Sequence, residues 1–298
     1  MPITLETMTA AATGPARLRV VLTDDHRDFA ERALPWLVGD PVRTNVVATM
    51  LATVRDGGVL APGSTWVLVE RGGRVVGAGM HTPPHPVYLP PMPDGAAAAV
   101  AGAFLDAGRE VAGVNGGPAS TAEFADAWCA ATGARARLGR AEGVHVLGTL
   151  IPPTVIAGRP RPATATDAEE SQRWLVAFHA ESSPLEPAQQ HVAEVVAHRI
   201  RLGLLMLWDD GTHPVSLAGW HLPVAGVGRV GPVYTPPQHR RHGYAAGVTA
   251  AASQAVLAAG AEQVMLFTDL ANPTSNGVYA RLGYQRVGDA SEWLFTPT

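Results

Sequence analysis

The strongest constraint in this sequence is that its pattern is written twice. VYLPP occupies 87–91 and VYTPP occupies 233–237. Each follows a strand–turn–strand pattern, TWVLVERGGRVVGAGM at 65–80 and LMLWDDGTHPVSLAGW at 205–220. Each precedes a small-residue run that reads as helix, AAAAVAGAFLDAG at 96–108 and YAAGVTAAASQAVLAAG at 244–260. A short strand ending near an asparagine comes next, VAGVNGG in the first copy and VMLFTDLAN in the second, and a further helix and one or two strands close each half. A five-residue match alone arises by chance, but the same order of the further elements does not. The chain has 298 residues, about twice an average domain, and so has room for two copies of one α+β unit.

The break falls in IPPTVIAGRPRP, 151–162, which reads as a linker between domains at 1–150 and 163–298. Beyond it, Thr166 to Glu169 fits a capping box opening a helix through Trp174, Leu175 and Phe178. A second helix, 186–202, would place Val192, Val195, Val196 and Ile200 on one face. Strands are expected at 204–208, 214–221 and 228–235, then a helix at 243–259 stopped by Gly260. Strand 263–269, a helix at 273–282 and strands near 284–288 and 292–296 complete a mixed, mostly antiparallel sheet flanked by helices.

Composition removes several mechanisms. All 22 basic residues are arginine, so no lysine is present to form a Schiff base or to serve a Walker A loop. A net charge of −4 without any basic block argues against nucleic acid. No apolar run reaches the ~18 residues of a membrane span, and MPITLETMTAAATG lacks the features of a signal peptide. A cytoplasmic protein is the economical expectation. The single cysteine, Cys129, cannot form an intrachain disulfide and reads as core beside Trp128. HTPPH at 81–85 holds two prolines and cannot be a helical zinc motif, and no Gly-x-Ser-x-Gly elbow exists. No metal is expected.

Chemistry concentrates in VYTPPQHRRHGYA, 233–245. A strand ends, prolines stiffen the turn, arginines follow, and Gly243 and Ala245 open a helix. Small residues let backbone N–H groups approach a ligand, and a helix start presents unpaired donors with a positive dipole. Arg240 and Arg241 can add charge-assisted hydrogen bonds to phosphate oxygens. The stretch reads as a pyrophosphate cradle.

Here the sequence resembles the GNAT superfamily of acyl-CoA-dependent N-acetyltransferases. Its signature, (Gln/Arg)-x-x-Gly-x-(Gly/Ala), is matched by Arg240-Arg241-His242-Gly243-Tyr244-Ala245, and Asn272, Asn276, Tyr279 and RLGYQRVGD at 281–289 follow in family order. The resemblance covers about 163–298 and is only architectural over 18–150. It implies two tandem GNAT-like domains, with acetyl-CoA as co-substrate and its pyrophosphate on 240–245. Val233, Tyr234 and Thr235 would pair with the pantetheine arm in a gap between two splayed strands. Asn276 would contact pantetheine, and Asn272 would either do so or cap a helix before Pro273. Tyr279 matches the family's general acid. For the base, Glu181, His221, Asp269 and ordered water stand as alternatives.

The first half reads PPMPDGAAAAV where the second reads PPQHRRHGYAAGV. Both arginines are gone, and Asp94 brings a negative charge where phosphate would sit. The later helix holds Phe124 and Trp128 but no tyrosine. This half is expected to be a degenerate copy without coenzyme. The acceptor is expected to be a small-molecule amine, polyamine-like or antibiotic-like, with a protein lysine or N-terminus and a non-catalytic acyl-CoA sensor as the rivals. A homodimer is left open.

Overall fold

The computed structural model describes residues 4–7, 17–182 and 192–296. It divides into two compact units, Met1–Ala141 with Asp289–Thr298, and Glu142–Gly288. Eight helices and mostly antiparallel strands among the described residues give the α+β class expected from the sequence.

The first unit holds β1 (Thr4–Thr7), β2 (Leu18–Thr23), α1 (His26–Leu37), α2 (Asn45–Arg55), β3 (Thr65–Arg71) and β4 (Arg74–His81). It continues with β5 (Val87–Leu89), α3 (Ala96–Asp106), β6 (Gly113–Gly116), α4 (Pro118–Thr132) and β7 (Arg135–Leu147), the last as far as Ala141. Strands β1 to β6 lie side by side in chain order, and only β5–β6 is a parallel pair. Gly72 and Gly73, at φ 59° and 78°, make the β3–β4 turn, as a two-residue hairpin with two left-handed positions requires. Alternation along β2 sends Val20 and Leu22 into a core with α3 and α4, and Val21 into a second core with α1 and α2.

The second unit holds β8 (Arg159–Pro162), α5 (Ala168–Ser182), α6 (Val192–Arg201), β9 (Leu205–Asp209), β10 (Pro214–Val224) and β11 (Val227–Tyr234). Helix α7 (Tyr244–Ala258), β12 (Gln263–Asp269), α8 (Pro273–Arg281) and β13 (Tyr284–Thr296) follow, the last as far as Gly288. Its sheet runs from Glu142–Val146 of β7 through β12, β11, β10 and β9 to β8. Strands β11 and β12 form a parallel pair, the counterpart of β5–β6. Alanine-rich α7 joins favourable propensity to a face packed in the core and stops where Gly260 turns to φ 92°. Helices α7 and α8 pack on one face of the sheet, over Val215, Ala218 and Val230. Helices α5 and α6 pack on the other, over Leu205, Leu207, Leu217 and Tyr234.

Three local expectations need correction, and one lies partly outside the described residues. The capping box sits two residues earlier, on Thr164 and Asp167, because Arg161 fixes the Asp167 carboxylate there with bonds of 2.8 and 2.9 Å. Helix α6 is described only from Val192, and 186–191 lie outside the described residues. Val195 is 40% exposed whereas Val192 and Val196 are buried, because a helix turns about 100° per residue and Val195 falls on the flank of the stripe that runs through Val192, Val196 and Ile200. The two expected final strands are one, β13. Its residues Ser291–Leu294 pair with Gly113–Gly116, so the first unit's sheet is closed from the far end of the sequence.

Two predictions follow from these contacts. Leu294, 2% exposed, packs within the first unit, so Leu294→Ala is expected to cost about 2–5 kcal/mol. Amide exchange should accelerate at Gly113–Gly116, and not within Glu142–Gly288. For Asp167, the Arg161 hydrogen bonds hold the carboxyl at about 2, against an ordinary 3.8. The folded value is the lower one, so the stabilisation is complete above pH ~4 and disappears as pH falls through ~2. Urea unfolding of Asp167→Asn should show a loss of ~2 kcal/mol at neutral pH, shrinking toward pH 2.

Candidate active site

The central feature of the second unit is where its parallel strands stop pairing. Val227, Gly228 and Arg229 pair with Gln263, Val264 and Met265, and there the β11–β12 ladder ends although both strands continue. On its other side β11 stays joined to β10, through Trp220↔Val230 and Ala218↔Val233, with a register shift between them. Two residues of β11, Gly231 and Pro232, therefore oppose the single residue Gly219. Gly231 has φ 148° and Pro232 has no N–H, so this bulge turns β11 away from β12. Beyond Arg229, the β12-facing edge of β11 has no strand partner. The resemblance implied such a splay; Val233 and Tyr234 lie on this edge and Thr235 follows it.

The opened strand leads through one loop into α7. Gly243 takes φ 86° as the N-cap and supplies no side chain to cap the helix, so the first N–H groups of α7 have no intrahelical partner. Arg241 sits at φ 67° with its side chain exposed. His242 stacks on Tyr244, centroids 5.5 Å apart. Ala245 follows in the first turn. Arg240 is engaged differently: its Nη2 donates to both Glu181 oxygens at 2.9 and 2.7 Å, and its Nε donates to the Thr235 carbonyl at 2.9 Å. Tyr234 donates its hydroxyl to Glu181 at 3.1 Å. Glu181, Tyr234, Thr235 and Arg240 thus form one connected group.

The turn from β12 to α8 collects the asparagines. Asn272 caps α8, accepting from the Ser275 N–H at 3.1 Å, with Pro273 in the first helical turn. Asn276 donates to the carbonyls of Asp269 and Leu270 at 3.1 and 3.3 Å, while its Oδ1 is buried without a hydrogen-bond partner. The Asp269 carboxylate accepts from the Ala271 N–H, a turn contact. Tyr279 packs edge-on to Tyr284, and its hydroxyl has no hydrogen-bond partner among the described residues. Burial pushes its pKa up to about 12.

His221 stands apart from both groups. Its Nε2 lies 3.3 Å from Arg199 Nη2 and 3.1 Å from Arg229 Nη2. A guanidinium can only donate, so Nε2 accepts and the ring proton is on Nδ1. Burial first, then Arg229 and Arg199, hold its pKa well below the usual histidine range. Arg199 and Arg229 carried no motif in the sequence. Their one signal is GRVGP at 228–232, an arginine beside a Gly-Pro break in a strand.

The first unit presents the same framework closed. All three residues of β5 pair with β6, Val87↔Val114 through Leu89↔Gly116, and the Gly117 N–H bonds the Leu89 carbonyl at 2.9 Å. A side chain at Gly116 would overlap Leu89, so glycine permits this zipping. Gly95 at φ 80° repeats the N-cap geometry of Gly243, but here the Glu123 carboxylate accepts from the N–H groups of Gly95 and Ala97 at 2.6 and 3.1 Å. Aligning Pro118 with Pro273 places Glu123 opposite Val278 and Phe124 opposite Tyr279. The sequence thus held a second sign of this closure, Glu123, beside Asp94.

The family model of FR47-like proteins matches residues 208–294, most of the second unit. Among solved structures, a Drosophila protein superposes with TM-score 0.64 at 13% identity, over 95% of this chain and 99% of its own. A tandem GNAT protein from the clavulanic acid biosynthesis pathway gives TM-score 0.52 at 16% identity, over 94% and 98%. The chain is a tandem GNAT-fold protein. A GCN5-related N-acetyltransferase from Sphaerobacter thermophilus shares the fold as well, at TM-score 0.55 and 17% identity, over 82% and 84%. No curated protein sequence matches the chain. Among the described residues, no helix of this GNAT-fold chain is long and apolar enough to cross a membrane.

Because Glu123 acts as an internal cap for α3, Glu123→Ala is expected to destabilise the first unit by about 1 kcal/mol. Thermal denaturation with exchange at Gly95–Ala97 would read it.

Proposed function

We propose that the second unit transfers an acetyl group from acetyl-CoA to the primary amine of a small molecule, by direct attack in a ternary complex, and that the first unit is a degenerate copy that binds no coenzyme. One observation carries this reading: a parted parallel strand pair leads into an uncapped helix start in one unit, while the same two features are zipped and plugged in the other. An anion is welcome at Gly243, Tyr244 and Ala245, where N–H groups and the helix dipole act together. Arg241 and His242 flank that position. The free edge of Val233, Tyr234 and Thr235 suits the amide-bearing pantetheine arm, which would lie there as an added strand. The unpartnered Asn276 Oδ1 supplies an acceptor for one of its N–H groups, whereas Asn272 serves to cap α8.

Acetyl-CoA would supply the activated acyl group. The amine nitrogen attacks the carbonyl carbon, the C–N bond forms and the C–S bond breaks. Tyr279 gives its proton to the sulfur as the C–S bond breaks, and the phenolate left behind, which burial makes the more basic partner, is reprotonated through water. The amine's surplus proton leaves through water. Glu181 is engaged with Arg240 and Tyr234, and the His221 lone pair faces two guanidinium groups, so neither is assigned as the base. Glu181 instead positions Arg240 along the loop.

Thiol release from acetyl-CoA against a panel of amines tests this reading. Amine-dependent release is expected. Failure to bind acetyl-CoA would overturn it, and binding without release on any amine, small or protein, would mark a sensor. Tyr279→Phe is expected to lower kcat about 10²-fold with acetyl-CoA affinity by calorimetry unchanged. Full activity in that variant removes Tyr279 from the mechanism.

A further inference from the structure

We infer that the acceptor carries a carboxylate and that this carboxylate seats on Arg199, beside the β11 bulge. The inference rests on the acetyl-transfer reading and names the class of amine.

Arg199 reaches from the end of α6 to the bulge. It donates from Nη1 to the Gly231 carbonyl at 3.2 Å and from Nη2 toward His221 Nε2 at 3.3 Å. A guanidinium has five N–H bonds, and these contacts leave some of them unused. A methyl group at Gly219 would overlap the guanidinium, so that glycine makes room for it. The other arginines that hold this unit's framework meet carboxylates: Arg161 pairs with Asp167 and Asp209, and Arg240 with Glu181. No ion pair of Arg199 exists among the described residues, and the charge that acts on it is the like charge of Arg229. Burial and Arg229 push its pKa down to about 10, which leaves it charged at neutral pH. The neutral histidine beside Arg199 offers it no countercharge. A desolvated guanidinium without an ion-pair partner is stabilised when an anion arrives.

Access and direction agree with that role. Arg199, His221 and Arg229 are each only half-buried, so a small anion can reach them. Val230 and Val233 pack toward α7, whereas Tyr234 packs toward α5 and α6. The extra residue in the bulge resets the strand's alternation, and Arg229 therefore shares a face with Tyr234. The cationic group sits where the β11–β12 ladder ends, next to the strand edge assigned to pantetheine. A planar fork suits a carboxylate. A polyamine, one of the acceptors expected from the sequence, would be repelled.

The test pairs each α-amino acid with its C-terminal amide as acceptor. For the wild-type protein, kcat/KM is expected to favour the acid by roughly thirtyfold. Arg199→Gln should bring that ratio close to one, Arg199→Lys should keep part of it, and Gly219→Ala should lower it by displacing the guanidinium without removing charge. Calorimetry with N-acetyl amino acids and their amides gives a second readout that needs no turnover. Equal use and equal binding of acid and amide by the wild-type protein would overturn the inference while leaving acetyl transfer intact. Arg199-dependent binding of the acids without thiol release on any amine would instead uphold the anion site and sink the transfer reading.

Discussion

Everything that distinguishes the second unit starts from backbone hydrogen bonds that are not made. A parallel pair normally continues until a strand ends, yet β11 and β12 separate after Arg229 and Met265 while both run on. Gly231 adopts a backbone angle closed to other residues and Pro232 withholds a donor, so the ladder cannot continue past them. The backbone groups on the unpaired edge must be met by water or by a ligand. The same bulge turns the Gly231 carbonyl to Arg199 and resets which face Arg229 occupies. Slot, charge and loop are consequences of one irregularity.

The first unit shows the same framework with its strand pair zipped and its helix start occupied from within. Glycines at 113, 116 and 117 let β6 press against neighbouring backbone, and a carboxylate from α4 meets the α3 N-terminus. The orphan donors and dipole of a helix start call for negative charge or another acceptor. In the first unit the Glu123 carboxylate supplies it, whereas no side chain caps the start of α7.

Much of this was legible in the sequence, for identifiable reasons. The repeat, the α+β class and strand 263–269 follow from local pattern, and the Gly243 helix start follows from residue chemistry. The splay was implied by the resemblance, while its cause, the Gly231–Pro232 bulge, needed register. Arg199 was invisible because its partners, Gly219, His221 and Gly231, come from strands brought together only by folding. Glu181 read as a candidate base; its tie to Arg240, 59 positions away, could not be seen along the chain. Strand β13 looked like two pieces, since nothing local marks Asp289 as a place where one strand passes from one compact unit to the other.

That last strand has a bearing on how the protein is made. Gly113–Gly116 obtain their antiparallel neighbour from Ser291–Leu294, whereas Glu142–Val146, made early, serve the second unit. Domains usually fold one after another as they emerge from the ribosome. Here the half that is synthesised first must wait, with an open sheet edge, until residue 294 has left the exit tunnel. Biosynthesis ties the completion of the first unit's sheet to the synthesis of the second unit, and a half-made product carries an unpaired sheet edge.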